Sequence, residues 1–111
     1  MIELIKQEPG YLLADLQIDE ANLAVADQFK TELIGLLDNY QRKIVLSLHQ
    51  VNYIDSSFLG ALVAGLKHAI AQKHDIILVG LKKDIRDLLT LIRLDKVFKI
   101  YDNYTEATSA L

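Results

Sequence analysis

Two short runs, Ile44 to Leu48 and Ile76 to Val79, carry almost no polar side chains. A strand with one wet face alternates apolar and polar residues. A run that is apolar nearly throughout reads as a strand covered on both faces, as in the interior of a parallel sheet. Between the two runs, Leu59, Leu62, Val63, Leu66 and Ile70 recur at helical spacing over Leu59 to Ala71. Strand, helix and strand in that order commit the chain to a βαβ unit with a right-handed crossover.

The rest of the sequence extends this pattern. Ile2 to Lys6 alternates, Pro9-Gly10 is the strongest turn signal present, and Tyr11 to Ile18 alternates again with Leu12, Ala14, Leu16 and Ile18 on one face. A β-hairpin is therefore expected at the start. After the polar break Asp19-Glu20-Ala21-Asn22, a helix is expected from about Asn22 to Asn39, capped by Asp19 or Asn22. Lys82 to Arg93 reads as a shorter amphipathic helix with Ile85, Leu88, Leu89 and Ile92 inward. Val97 to Tyr101 reads as a last strand, and Asn103 to Ala110 as one or two helical turns capped by Asn103 or Thr105. The expected fold is α/β, a mixed and mostly parallel sheet of about five strands with about four helices and an N-terminal β-hairpin. Residues 1–111 are expected to form a single domain.

Several functions are excluded or disfavoured by composition. The net charge is −3 and no cluster of lysines and arginines is present, which argues against nucleic-acid binding. The absence of cysteine removes disulfides, thiolate metal sites and cysteine catalysis. No signal peptide and no membrane-spanning run is expected, and the cytoplasm is the expected location. His49, His68 and His74 show no metal-ligand spacing, and no phosphate-cradling or nucleophile-elbow motif occurs. No metal, no cofactor and no enzymatic activity are expected.

The stretch that joins the first buried run to the long helical segment is different in kind. Asp55-Ser56-Ser57 places a carboxylate and two hydroxyls at a helix N-terminus, where backbone N–H groups lack partners. A helix cap worth about 1 kcal/mol accounts for these residues by itself. The alternative is a phosphorylation switch, in which a group of about −1.5 to −2 charge is held by helix-terminal N–H groups with the fold intact. Inside the helix, Gly60, Ala61, Ala64 and Gly65 make a stripe of small residues. Each glycine costs roughly 1 kcal/mol against alanine, so tight packing or a crowded binding face is expected to offset it.

The series Ile44-Val45-Leu46-Ser47-Leu48, then Val51-Asn52-Tyr53-Ile54-Asp55-Ser56-Ser57-Phe58-Leu59-Gly60-Ala61-Leu62, then Ile76-Ile77-Leu78-Val79-Gly80, resembles the STAS domain. That family includes bacterial anti-sigma factor antagonists and cytoplasmic domains of sulfate transporters. Its hallmark is an acceptor loop of Asp-Ser-Ser/Thr-Gly-Leu-Gly type between a strand and a helix. Asp84 to Leu89 and Leu94 to Tyr101 resemble its later helix and final strand, so the likeness spans essentially the whole chain.

The resemblance implies that Ser56 is the phosphoacceptor, with Ser57 the neighbouring hydroxyl, Asp55 the acid shaping the loop, and Gly60 and Asn22 part of the same partner-binding surface. It further implies an ATP-dependent serine kinase/anti-sigma factor that binds the unphosphorylated form and releases the phosphorylated one. A metal-dependent serine phosphatase would restore the hydroxyl. With no transporter segment ahead of it in this sequence, a stand-alone antagonist in a partner-switching signal-transduction system is expected. Two other readings carry the same surface: a STAS subunit held permanently on a transporter ATPase, and an antagonist acting on a response regulator or other non-sigma target. Phe58 stands where the family has a small residue. Because the inward stripe is read as starting at Leu59, Phe58 is expected to project outward as a partner anchor.

Overall fold

In the computed structural model, which describes all residues 1–111, the chain opens with the expected hairpin. Strands β1 (Ile2–Gln7) and β2 (Tyr11–Leu16) pair antiparallel, with a register shift between Leu4 and Lys6 that leaves Ile5 as the extra residue. Strand β3 (Glu20–Ala21) leads into helix α1 (Leu23–Tyr40). Strand β4 (Lys43–Ser47) is followed by β5 (Tyr53–Ile54) and helix α2 (Ser56–Ala71). Strand β6 (Ile76–Val79), helix α3 (Lys83–Leu91), a 3-10 turn (Leu94–Lys96), strand β7 (Lys99–Tyr101) and helix α4 (Tyr104–Ser109) complete the chain.

The main sheet has the order β1-β2-β4-β6-β7, parallel except for the first pair. Each crossover from β2 onward advances one strand in the same direction. Right-handed connections that always advance the same way put their helices on one face. The packing follows that rule. Phe29, Leu33 and Leu37 of α1, the inner residues of α2, and Ile85 and Leu89 of α3 share one core with Leu12, Ala14, Ile44, Leu46, Ile76 and Leu78. The opposite face is covered by α4, where Ala107 packs on Val45, Ile77 and Val79. Both faces of β4 and β6 are thus buried, which is why their sequences are apolar throughout.

Several expectations shift. The second strand stops at Leu16 instead of Ile18. The polar break at Asp19 to Asn22 contains β3, which pairs in parallel with β5 as a separate two-stranded sheet. Helix α2 begins at Ser56, one turn earlier than its apolar period indicates, and its inward side is Phe58, Leu59, Ala61, Leu62, Gly65, Leu66 and Ala69. Ile70, expected inward, is 57% exposed, and Ile92 of the α3 cap is also exposed. Val97 and Phe98 lie between the 3-10 turn and β7, so of the expected last strand only Lys99–Tyr101 remains.

Phe58 is the main correction. It is fully buried, with its ring centroid 4.3 Å from that of Phe29 and the planes tilted by 30°. Asp55 caps α2 at its true start, and that phase turns position 58 toward α1 and the sheet. An aromatic pair of this kind adds about 0.5–1.5 kcal/mol to its burial. Phe58 is core and offers no surface to a partner.

The two glycines of α2 also differ from one another. A Cβ built on Gly65 would lie 2.3 Å from Leu33 Cδ2, so this glycine is what lets α1 approach. Around Gly60 the same construction meets nothing within 4 Å.

Candidate functional site

The Asp55–Ser57 junction is built on a loop seated at both ends. A β-turn over Leu48–Val51, closed by Val51 N–H on the Leu48 carbonyl at 3.0 Å, sends the chain away from β4. Val51 and Ile54 are buried and fix the loop from beneath, while Asn52 and Tyr53 face solvent. The Asn52 N–H donates to the Asp19 carbonyl at 2.8 Å and the Asp55 N–H to the Ala21 carbonyl at 3.0 Å. Side-chain bonds from Asn52 to Asp19 and from Lys82 to Asn52 extend this lacing to the start of α3.

Asp55 then ties two helices together. Its Oδ1 accepts the Phe58 N–H at 2.9 Å, the capping bond of α2. Its Oδ2 accepts the Leu23 N–H, also at 2.9 Å, at the first residue of α1. One carboxylate therefore satisfies an orphan donor on each of two helix N-termini, where negative charge is also favoured by the helix dipoles. Asn22 caps α1 from its own side, its Oδ1 accepting the Ala24 N–H at 3.0 Å.

Of the expected site residues, Asp55, Ser56, Ser57 and Asn22 come together at these paired helix ends, and Gly60 lies exposed one turn further along α2 from Ser56. Phe58 does not join them. Ser56 is exposed and Ser57 half-buried, and no protein group hydrogen-bonds either hydroxyl. Both occupy the first turn of α2, where backbone N–H groups have no acceptor within the helix. The arrangement can present a hydroxyl to a reagent from outside and hold an anion placed on it.

Two residues at this end escaped sequence reasoning. Leu23 is 71% exposed and Tyr53 is 53% exposed, and both flank the Asp55–Ser57 junction. Tyr53 had a legible signal, an aromatic two residues before the motif aspartate; Leu23 had none. Elsewhere, Ser47, His49 and Asp15 approach one another, but Ser47 Oγ and Asp15 Oδ1 both face the same ring nitrogen, Nδ1, at 3.0 and 3.1 Å. A hydrolase relay needs opposite nitrogens of the imidazole, so this is no catalytic triad. No three histidine, aspartate or glutamate side chains are placed to hold a metal ion, and no helix is long and apolar enough to cross a membrane.

The STAS domain signature matches residues 16–107. The chain belongs to the STAS domain family. A protein of Thermotoga maritima carrying the name anti-sigma factor antagonist is 35% identical over 89 residues, covering 79% of each chain. A crystal structure of an anti-sigma factor antagonist of the same organism superposes on this STAS chain with a TM-score of 0.81 at 27% identity, over 99% of this chain and 92% of that one. SpoIIAA, solved unphosphorylated and, from Bacillus, phosphorylated, shares the fold. Each form gives a TM-score of 0.72 at 14% identity, over 99% of this chain and 96% and 98% of the respective SpoIIAA chains.

Proposed function

We propose that this STAS domain is a phosphorylation-switched regulator of the anti-sigma factor antagonist type, with Ser56 as the phosphoacceptor. The observation that carries the reading is the position of Ser56: an exposed, unengaged hydroxyl at the first residue of α2, beside a carboxylate that locks two helix ends in place. Support also comes from the antagonist names of its relatives and from a fold-mate solved in a phosphorylated form.

Unphosphorylated, the paired ends of α1 and α2 dock on an ATP-dependent serine kinase/anti-sigma factor, with Asp55, Ser57, Asn22 and Gly60 around Ser56. Phosphorylation sets about −1.5 to −2 charge next to Asp55. Burying that dianion in the interface without a matching cation costs roughly a few kcal/mol, enough to release the partner. A metal-dependent serine phosphatase reverses the step. The chain is the substrate of both enzymes and performs no chemistry itself, and it works in the cytoplasm where ATP is available.

The test is binding of the kinase partner by Ser56→Ala and Ser56→Asp. The alanine variant should bind like the unmodified protein and the aspartate variant at least about tenfold more weakly, a difference of about 1.4 kcal/mol. Equal binding by the two variants would overturn the switch.

A further inference from the structure

At the carboxyl end of β2 lies a side chain that the switch leaves unused. Asp15 is 6% exposed, and no lysine or arginine pairs with it. Its contacts come from the Leu48–Val51 turn that launches the acceptor loop. Both central residues of that turn reach it. Gln50 Nε2 donates to Asp15 Oδ2 at 3.0 Å, and His49 Nδ1 lies 3.1 Å from Oδ1. Gly80, in the left-handed region at φ 71°, makes the room: a Cβ there would lie 3.2 Å from Ser47 Oγ and 3.3 Å from His49 Cβ.

The other charged and titratable groups facing this cluster are few. Glu3 of β1 stands opposite Asp15 across the ladder. Tyr104 of α4 donates its hydroxyl to the Ala14 carbonyl at 2.6 Å. Burial first, and the charge of Asp15 second, push that hydroxyl up to about 12. The turn after β6 adds only the uncharged Gly80.

A buried carboxylate is costly unless both oxygens are met by donors or a counter-charge. Gln50 meets one oxygen. The other, Oδ1, makes no hydrogen bond: His49 Nδ1 lies 3.1 Å away, and the hydrogen bond of that nitrogen is with Ser47 Oγ at 3.0 Å. We infer that Asp15 is a positioning residue for the acceptor loop: the Gln50 hydrogen bond clamps the Leu48–Val51 turn to it, and the clamp tightens when a protonated, positively charged imidazole stands 3.1 Å from Oδ1. The turn hands its position to the loop through the buried Val51 and Ile54, four and one residues before Asp55. Any effect of the clamp on Ser56 phosphorylation rests on the switch proposed above; the clamp itself does not.

Amide hydrogen exchange by NMR tests it, on the intact chain, Asp15→Asn and His49→Gln. In the unmodified protein, protection of the Val51 and Asp55 amides, corrected for intrinsic exchange, should rise about three- to tenfold between about pH 7.5 and about pH 5.5. Both variants should stay flat over that range. A flat response in the unmodified chain overturns the clamp, as does an undiminished response in either variant. Absence of phosphate on Ser56 would instead refute the switch and leave the exchange result standing.

Discussion

The Asp55 carboxylate reaches back 32 residues to accept the Leu23 N–H at 2.9 Å, while its other oxygen caps the helix that Asp55 itself opens. The Asp55–Ser57 stretch is thereby fixed to α1 as well as to α2. The Ser56 hydroxyl stands on a frame made of two helix ends and a loop pinned by the buried Val51 and Ile54.

Two caps on one side chain should be visible in stability. Asp55→Ala is expected to destabilise the fold by about 2 kcal/mol, two caps at about 1 kcal/mol each. Asp55→Asn, with one acceptor oxygen, should lose about half as much. Urea unfolding at constant m-value measures both. A loss below about 0.5 kcal/mol for the alanine variant would mean that neither bond contributes.

The glycines of α2 should respond with opposite signs. Gly60→Ala enters open space and should stabilise by up to about 1 kcal/mol through helix propensity. Gly65→Ala must displace Leu33, and overpacking of about 1–3 kcal/mol should exceed the same propensity gain. Thermal unfolding of the two variants decides it: matching shifts would contradict the account of why Gly65 is a glycine.

Phe58→Ala should cost about 3–5 kcal/mol of stability as a large-to-small core change. Phe58→Leu should cost much less and leave partner binding near that of the unmodified chain. Loss of binding in Phe58→Leu without loss of stability would restore the interface role that its burial argues against.

The far ends of α1 and α2 are joined by a pH-sensitive contact. His68 Nε2 lies 2.7 Å from Asp38 Oδ1, and Gln72 Nε2 donates to the same oxygen at 2.9 Å. The bond to His68 first, then that to Gln72, holds Asp38 below the usual carboxylate range. A carboxylate depressed in the folded state favours folding above its unfolded pKa, and that contribution is lost as pH falls through the folded value. Asp38→Asn should therefore unfold at lower urea than the unmodified chain near neutral pH, and the two midpoints should converge in acid. A gap that persists unchanged in acid would contradict the pairing.

What the sequence shows of all this follows from the range of each interaction. β4 and β6 are legible because burial on both faces removes polar residues from a continuous run. Asn22 and Asn103 are legible as caps because each bonds an N–H two or three residues on. β3 and β5 leave no period in two residues each, so the small sheet beneath the acceptor loop is invisible. Phe58 is not legible as core because the apolar stripe gives α2 a phase starting at Leu59, whereas the cap at Asp55 sets the true one. The Asp55–Leu23 bond and the Asp15–His49–Gln50 cluster join residues more than 30 positions apart, and no local pattern encodes them. Family resemblance points to the acceptor loop, and the fold shows what holds it.

The most direct test of the switch is to locate phosphate by mass spectrometry after incubating the intact chain with its serine kinase partner and ATP. Near-stoichiometric phosphate is expected on Ser56 and none on the Ser56→Ala variant. Phosphate confined to Ser57, or on no residue at all, would contradict it.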